Sequence, residues 1–205
     1  YWRYHGSRLE PQLIEKANLV VNNSLYYTEY SRKYNPESYM VGQGCDVSAF
    51  NEDVNKIDIP EDMKEIEGPV IGYVGYLTSR RLDIDLLYTV AHRRKDWKVV
   101  LVGPEDEQFA ESKLHELPNV FFLGSRKPEE LPGYIKSFDV CINPQILNEA
   151  TIGNYPRKID EYLAMGKPVV GTLTKAMEYF KGYVYLARTS DDYLKLIEKA
   201  ISDNN

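Results

Sequence analysis

Arg157 and Lys158 stand in the first turn of an apparent helix, Glu161 follows within that helix, and Glu149 lies in the loop before it. The mouth of a helix presents free backbone amides and the positive end of the peptide dipole, so an anion placed beside two cations there is stabilised, and phosphate is the natural candidate. Pro156 suits the first helical turn, where its missing N–H costs nothing, and Gly166 suits the left-handed residue that ends a helix. A carboxylate such as Glu161 can accept hydrogen bonds from two ribose hydroxyls, although taken alone it reads equally as an exposed helix charge. Gly75, Gly103 and Gly124 each close an apolar run, where a residue without a side chain lets backbone approach a ligand. The basic pairs Arg80-Arg81, Arg126-Lys127 and Arg157-Lys158 also follow strand ends; singly they read as solvated surface, together as groups that could converge on one anion.

Other common chemistries lack their residues. Gly72 to Gly75 does not have the G-x-G-x-x-G spacing of a dinucleotide site, and neither a P-loop nor a G-x-S-x-G elbow occurs. His5, His92 and His115 have no partner spacing that suggests a metal or a general base. Cys45 and Cys141 are far apart and beside apparent strands, which predicts buried free thiols. With 25 basic against 31 acidic residues, the net charge of −6 argues against a nucleic-acid binder, which needs a broad positive surface. No apolar run reaches the roughly 18 residues of a membrane span. The opening Tyr-Trp-Arg-Tyr-His reads as the interior of a longer chain.

The elements that must position these groups alternate. Apolar runs at 18–22, 70–74, 99–102, 120–123, 140–142 and 169–170 read as strands, and amphipathic segments at 82–93, 106–116, 128–138, 156–165 and 189–202 as helices. Such alternation predicts an α/β fold, a Rossmann-like doubly wound parallel sheet with helices on both faces. In the helix at 82–93, Leu82, Leu86, Leu87, Val90 and Ala91 share one face. In the one at 156–165 the stripe is Ile159, Leu163 and Ala164. Residues 51–69 are charged and turn-rich, and read as a linker between a first strand-helix-strand unit and the main block.

Several blocks in order resemble the glycosyltransferase family 4 group, enzymes of GT-B fold that use nucleotide-sugar donors. Glu15 to Ser24 looks like the last strand of that family's N-terminal domain, and Val41 to Phe50 like the junction after it. Ile71 to Gly75, Leu101 to Pro104, Phe122 to Gly124 and Glu161 to Val170 resemble the blocks of its donor domain. The resemblance implies that residues 1–50 end the acceptor-side domain and 51–205 form the donor domain. It implies that Glu161 holds the ribose, that Pro156, Arg157 and Lys158 cradle the diphosphate, and that Gly75 and Tyr76 face the phosphates. The segments around Gly103, Pro104 and Arg126 would lie against the nucleobase.

Two departures stand out. Where the family commonly carries a second Glu, eight positions before Glu161, this chain has Gly153, and Glu149 is the candidate substitute and the one candidate catalytic group here. Arg80 and Arg81 are the candidate replacements for the family's basic residues after the first donor-domain strand. The implied activity is retaining transfer from a UDP- or GDP-sugar, without cofactor or metal, to a glycan or lipid-linked acceptor held by the missing domain. The implied setting is envelope or surface polysaccharide assembly, in the cytoplasm or peripherally at the inner membrane face. Membrane association is not evident in these residues, and the chain alone is expected to turn over little. A nucleotide-sugar epimerase, a non-catalytic sugar-nucleotide-binding module and a partner-docking domain using the 17 tyrosines are the other readings.

Overall fold

The computed structural model describes residues 2–44, 50, 56–149 and 151–203. Cys45, most of the expected junction before Phe50, and the start of the expected linker at 51–55 lie outside the described residues. Six parallel strands form the main sheet: β3 (Val70–Val74), β4 (Lys98–Val102), β5 (Val120–Gly124), β6 (Val140–Asn143), β7 (Val169–Thr172) and β8 (Tyr185–Ala187). Their order is β5-β4-β3-β6-β7-β8. The chain winds outward from β3 in one direction, returns beside it at β6, and winds outward in the other. Ligands of open α/β sheets bind at such a reversal, beyond the carboxyl ends of the two central strands.

β3, β6 and β7 are buried along their whole lengths, as continuous apolar parallel strands covered on both faces should be. On one face, α4 (Ile84–Arg93) and α8 (Ser190–Asp203) pack Leu86, Leu87, Val90, Tyr193 and Ile197 over Ile71, Val99, Leu101, Val140 and Ile142. On the other, α6 (Leu131–Lys136) and α7 (Lys158–Ala164) pack Tyr134, Ile135, Ile159 and Tyr162 over Val70, Val74, Val100, Cys141 and Val169. Before the sheet come α1 (Ser7–Lys16), β1 (Val20–Asn22), α2 (Leu25–Ser31), β2 (Ser38–Met40) and α3 (Glu61–Lys64). β1 and β2 pair in parallel as a separate two-stranded sheet.

Several boundaries differ from the sequence reading. Asp83 caps α4 from outside, its Oδ1 accepting from the Leu86 amide at 2.9 Å, so the helix starts two residues later than expected. The 106–116 segment splits into α5 (Glu107–Ala110), capped by Asp106, and a 3-10 turn at Lys113–Glu116. Leu117 must be extended because Pro118 follows it, which stops the second piece. The 128–138 segment likewise opens as a 3-10 turn at Pro128–Glu130 before α6. The buried stripe on α7 differs from the expected Ile159, Leu163 and Ala164: Tyr162 is fully buried beside Ile159, while Leu163 and Ala164 are only half-buried. Cys141 is a buried free thiol whose pKa burial pushes well up.

Candidate functional site

The reversal between β3 and β6 opens into a cleft of about 450 Å³. One wall is the loop after β3, which must bend sharply to leave the sheet. Gly75 takes φ +139°, and its amide donates to the Val102 carbonyl at 2.8 Å. A side chain there would press on the Tyr73 hydroxyl and on Lys158 Cε, at 3.1 and 3.3 Å from its Cβ. Gly103, at φ +147°, passes so close that a Cβ would sit 1.9 Å from the Gly75 carbonyl oxygen. These two glycines let the ends of β3 and β4 close against each other at the cleft.

The opposite wall is α7 and the loop before it. The helix is shorter than expected, beginning at Lys158, with Pro156 and Arg157 in a tight turn whose carbonyls accept from the Ile159 and Asp160 amides. Lys158 reaches across the floor, its Nζ 4.9 Å from the centre of the Tyr73 ring. Glu161 lines the cleft with 13% of its side chain exposed, and Arg157 Nε lies 3.4 Å from its Oε1. Burial pushes the Glu161 carboxyl pKa up, while Arg157 and Lys158 pull it down. One residue on, the fully buried Tyr162 hydroxyl accepts from the Val74 amide at 2.9 Å, tying α7 to the last residue of β3.

The loops around the cleft are cross-tied. The Ser79 amide and hydroxyl both donate to Asp106 Oδ2, at 2.8 and 2.9 Å. Burial would raise the Asp106 carboxyl, but donors from Phe109, Thr78 and Ser79 prevail and lower it. The Ile146 amide donates to the Arg81 carbonyl, and Asn148 Nδ2 donates to the Arg80 carbonyl at 3.0 Å. Beside the cleft, and sharing Val74, Gly75, Tyr76 and Leu131 with it, a smaller pocket of about 140 Å³ is bounded by Gly103, Pro104 and Arg126. Arg126 is held there by Asp62, at 2.6 Å, and by the Tyr134 hydroxyl.

Gly75, Tyr76, Arg81, Pro156, Arg157, Lys158 and Glu161 thus line one cleft, and Gly103, Pro104 and Arg126 its annex. Arg80 is exposed and its side chain lines neither, so of that basic pair only Arg81 faces the site. Glu149 is exposed at a turn and is not among the residues lining the cleft. Gly153 has its own reason: a Cβ there would lie 2.3 Å from the ring of Tyr26, on α2. A glutamate at 153 would require Tyr26 to move. Sequence reasoning missed Tyr73, Thr78, Asn143 and Gln145. The pair Asn143 and Gln145 did carry a signal, a polar break directly after an apolar strand, at the same sheet edge as Gly75.

Residues 68–203 match the family described as glycosyl transferases group 1. The chain belongs to that family. The matched span of this glycosyl transferases group 1 chain contains the whole six-stranded sheet and every cleft residue except Gln43. The chain is 30% identical, over 95% of its length, to "Putative teichuronic acid biosynthesis glycosyltransferase TuaH" of Bacillus subtilis (strain 168), and spans about half, 51%, of that relative. In fold it is similar to Anabaena Alr3699/HepE, solved in complex with UDP, at TM-score 0.80 and 19% identity over 97% of this chain and 58% of that one. It is also similar to sucrose-phosphate synthase from Thermosynechococcus elongatus, at TM-score 0.76 and 19% identity over 96% of this chain and 52% of that one. The architecture is accordingly that of GT-B glycosyltransferases, as the sequence led one to expect.

Proposed function

We propose that this chain is the donor-binding half of a glycosyltransferase that transfers a sugar from a nucleoside diphosphate sugar, with retention at the anomeric carbon and without a bound metal. The observation that carries the reading is the meeting of Gly75, Lys158 and a largely buried Glu161 in one cleft at the reversal of the strand order. In this reading Glu161 accepts from the ribose hydroxyls, and the base lies in the annex of Gly103, Pro104 and Arg126. Lys158 and Arg157 face the diphosphate with the Gly75 backbone. As the sugar leaves, negative charge grows on the diphosphate oxygen, and fixed cations in a partly desolvated cleft stabilise it without reorganising. The HepE complexes with UDP and UDP-glucose support a donor of this class.

The acceptor, a glycan or a lipid-linked glycan, is assigned to the remainder of a longer protein, together with catalytic groups beyond this chain. The TuaH relationship supports a role in envelope or surface polysaccharide assembly. A location in the cytoplasm or at the inner membrane face is part of the same reading, and it rests on the same relationship to TuaH. Gly153, which supplies no carboxylate, favours a second reading, a module that binds donor and transfers nothing. Calorimetric titration with UDP and GDP, with and without divalent metal, tests the first reading. Saturable binding independent of metal and lost in Glu161→Ala is expected, and binding that requires metal or survives the substitution overturns it. A full-length protein that binds donor but never transfers sugar would establish the second.

A further inference from the structure

Tyr73, on β3, lines the donor cleft with only 3% of its surface exposed. A tyrosine this buried normally finds a hydrogen-bond partner for its hydroxyl. Tyr162 and Tyr193 do so, the first accepting from the Val74 amide at 2.9 Å and the second donating to the Asn143 carbonyl at 2.8 Å. The Tyr73 hydroxyl has no partner among the described residues, and unlike the amide oxygens of Asn143 and Gln145 it is not sealed from solvent. The little exposure that Tyr73 keeps therefore includes Oη, at the cleft.

Its neighbours fix where Oη stands. It lies 3.1 Å from the point that a Cβ on Gly75 would occupy, and Lys158 Cε lies 3.3 Å from that same point. Lys158 Nζ is 4.9 Å from the centre of the Tyr73 ring, while Arg157 is the cation that pairs with Glu161. The ring thus holds an ammonium by cation–π attraction beside a hydroxyl whose proton is free to donate. The Gly75 amide is already taken by the Val102 carbonyl, so the hydroxyl supplies a donor that this backbone does not. An O–H and an ammonium converging where a glycine leaves room suit an anionic oxygen. The place of that oxygen along the ligand follows from the sheet. The annex borders Val74 and Leu131, and Glu161 stands on α7, all on the face that α6 and α7 cover. Tyr73 belongs to the core on the opposite face, under α4 and α8. A nucleotide with its base in the annex and its ribose on Glu161 reaches Tyr73 last, with its terminal phosphate.

We propose that Tyr73 Oη donates a hydrogen bond to the terminal phosphate of the donor, the group that carries the sugar and takes up charge as the sugar leaves; this role rests on the nucleotide reading of the cleft. NMR titration of the 205-residue chain and of Tyr73→Phe with UDP, UMP and uridine tests it. The variant keeps the ring beneath Lys158 and removes only the hydroxyl. UDP is expected to weaken about tenfold, as for one hydrogen bond to a charged group, while UMP and uridine stay within about twofold. In phosphorus spectra of bound UDP the β resonance is expected to differ between the two proteins and the α resonance to coincide. The melting temperature of the ligand-free variant is expected not to fall, because no hydrogen bond within the fold is lost. Unchanged UDP affinity, an equal loss for UMP and uridine, or a lower melting temperature overturns the role of the hydroxyl and leaves the donor reading intact. Failure of the unsubstituted chain to bind UDP overturns the donor reading and the phosphate contact with it.

Discussion

Glu161 combines a largely buried side chain with a single ion pair, and burial holds its carboxyl pKa above the ordinary glutamate value. The folded chain therefore keeps this proton more tightly than the unfolded chain does. The sign for stability follows: Glu161 weakens the fold as pH rises from the ordinary value through the raised one, and Glu161→Gln should stabilise the ligand-free chain above that window in denaturant melts. Ribose hydroxyls donating to the carboxylate favour its ionised form. Nucleotide binding must then release the proton, so UDP affinity should rise with pH through the same window. Calorimetry in buffers of differing ionisation enthalpy reads that release directly, and a pH-independent affinity would contradict the ribose role. Glycines at this edge sort by their surroundings. Gly103→Ala combines a strained φ, worth about 1–3 kcal/mol, with a clash against Gly75, whereas Gly124→Ala at φ +69° meets open space. The first should lose clearly more stability in urea than the second.

Among the elements, α2 and α7 do the positioning. α7 is fastened to β3 by the Tyr162 hydroxyl, and Tyr162→Phe leaves the Val74 amide buried without its acceptor. A loss of about 1–3 kcal/mol is expected, together with weaker UDP binding because the Val74–Gly75 corner is freed. α2 seats the Tyr26 ring on Gly153, so Gly153→Ala should destabilise the chain and Tyr26→Ala should relieve much of that loss. Thermal melts of both single variants and the double variant give the coupling, and additive effects would show that the ring does not bear on position 153. Most of these elements were legible: five of the six sheet strands stand out as apolar runs, and α4 shows its buried face in full. β8 was not, because its Tyr185–Ala187 is short, lies at the sheet edge and is only partly buried. The Tyr26–Gly153 contact joins positions remote in sequence, and no local pattern announces it. The cleft cations were legible because basic residues at strand ends stand out, but which member of the Arg80-Arg81 pair faces inward depends on the turn that Thr78 initiates.

At the scale of the whole molecule, the main sheet and the small β1–β2 sheet differ in how they are held. The central strands of the main sheet are covered on both faces, whereas Leu19, Val21, Tyr39 and Val41 leave one face of the small sheet exposed. A parallel sheet normally has both faces covered, and two strands of three residues each are marginal alone. Among the described residues, the ties from this unit to the rest of the chain include the Tyr26 ring on Gly153, the half-buried Met40 at the end of β2 packed against the core around Tyr155 and Ile159, and an exposed Glu29–Lys175 pair at 3.5 Å, the last worth little in water. The small sheet should therefore open at a free energy below that of global unfolding. Hydrogen exchange under native conditions is expected to find the amides of β1 and β2 far less protected than those of β3, β4 and β6. Saturating UDP should slow exchange at Gly75, Tyr76 and the start of α7 while leaving β1 and β2 unchanged, because the proposed nucleotide contacts all come from the six-stranded sheet and its connecting segments. Equal protection of both sheets would mean that Tyr26 couples them into one cooperative unit, and Gly153→Ala should then lower the protection of both.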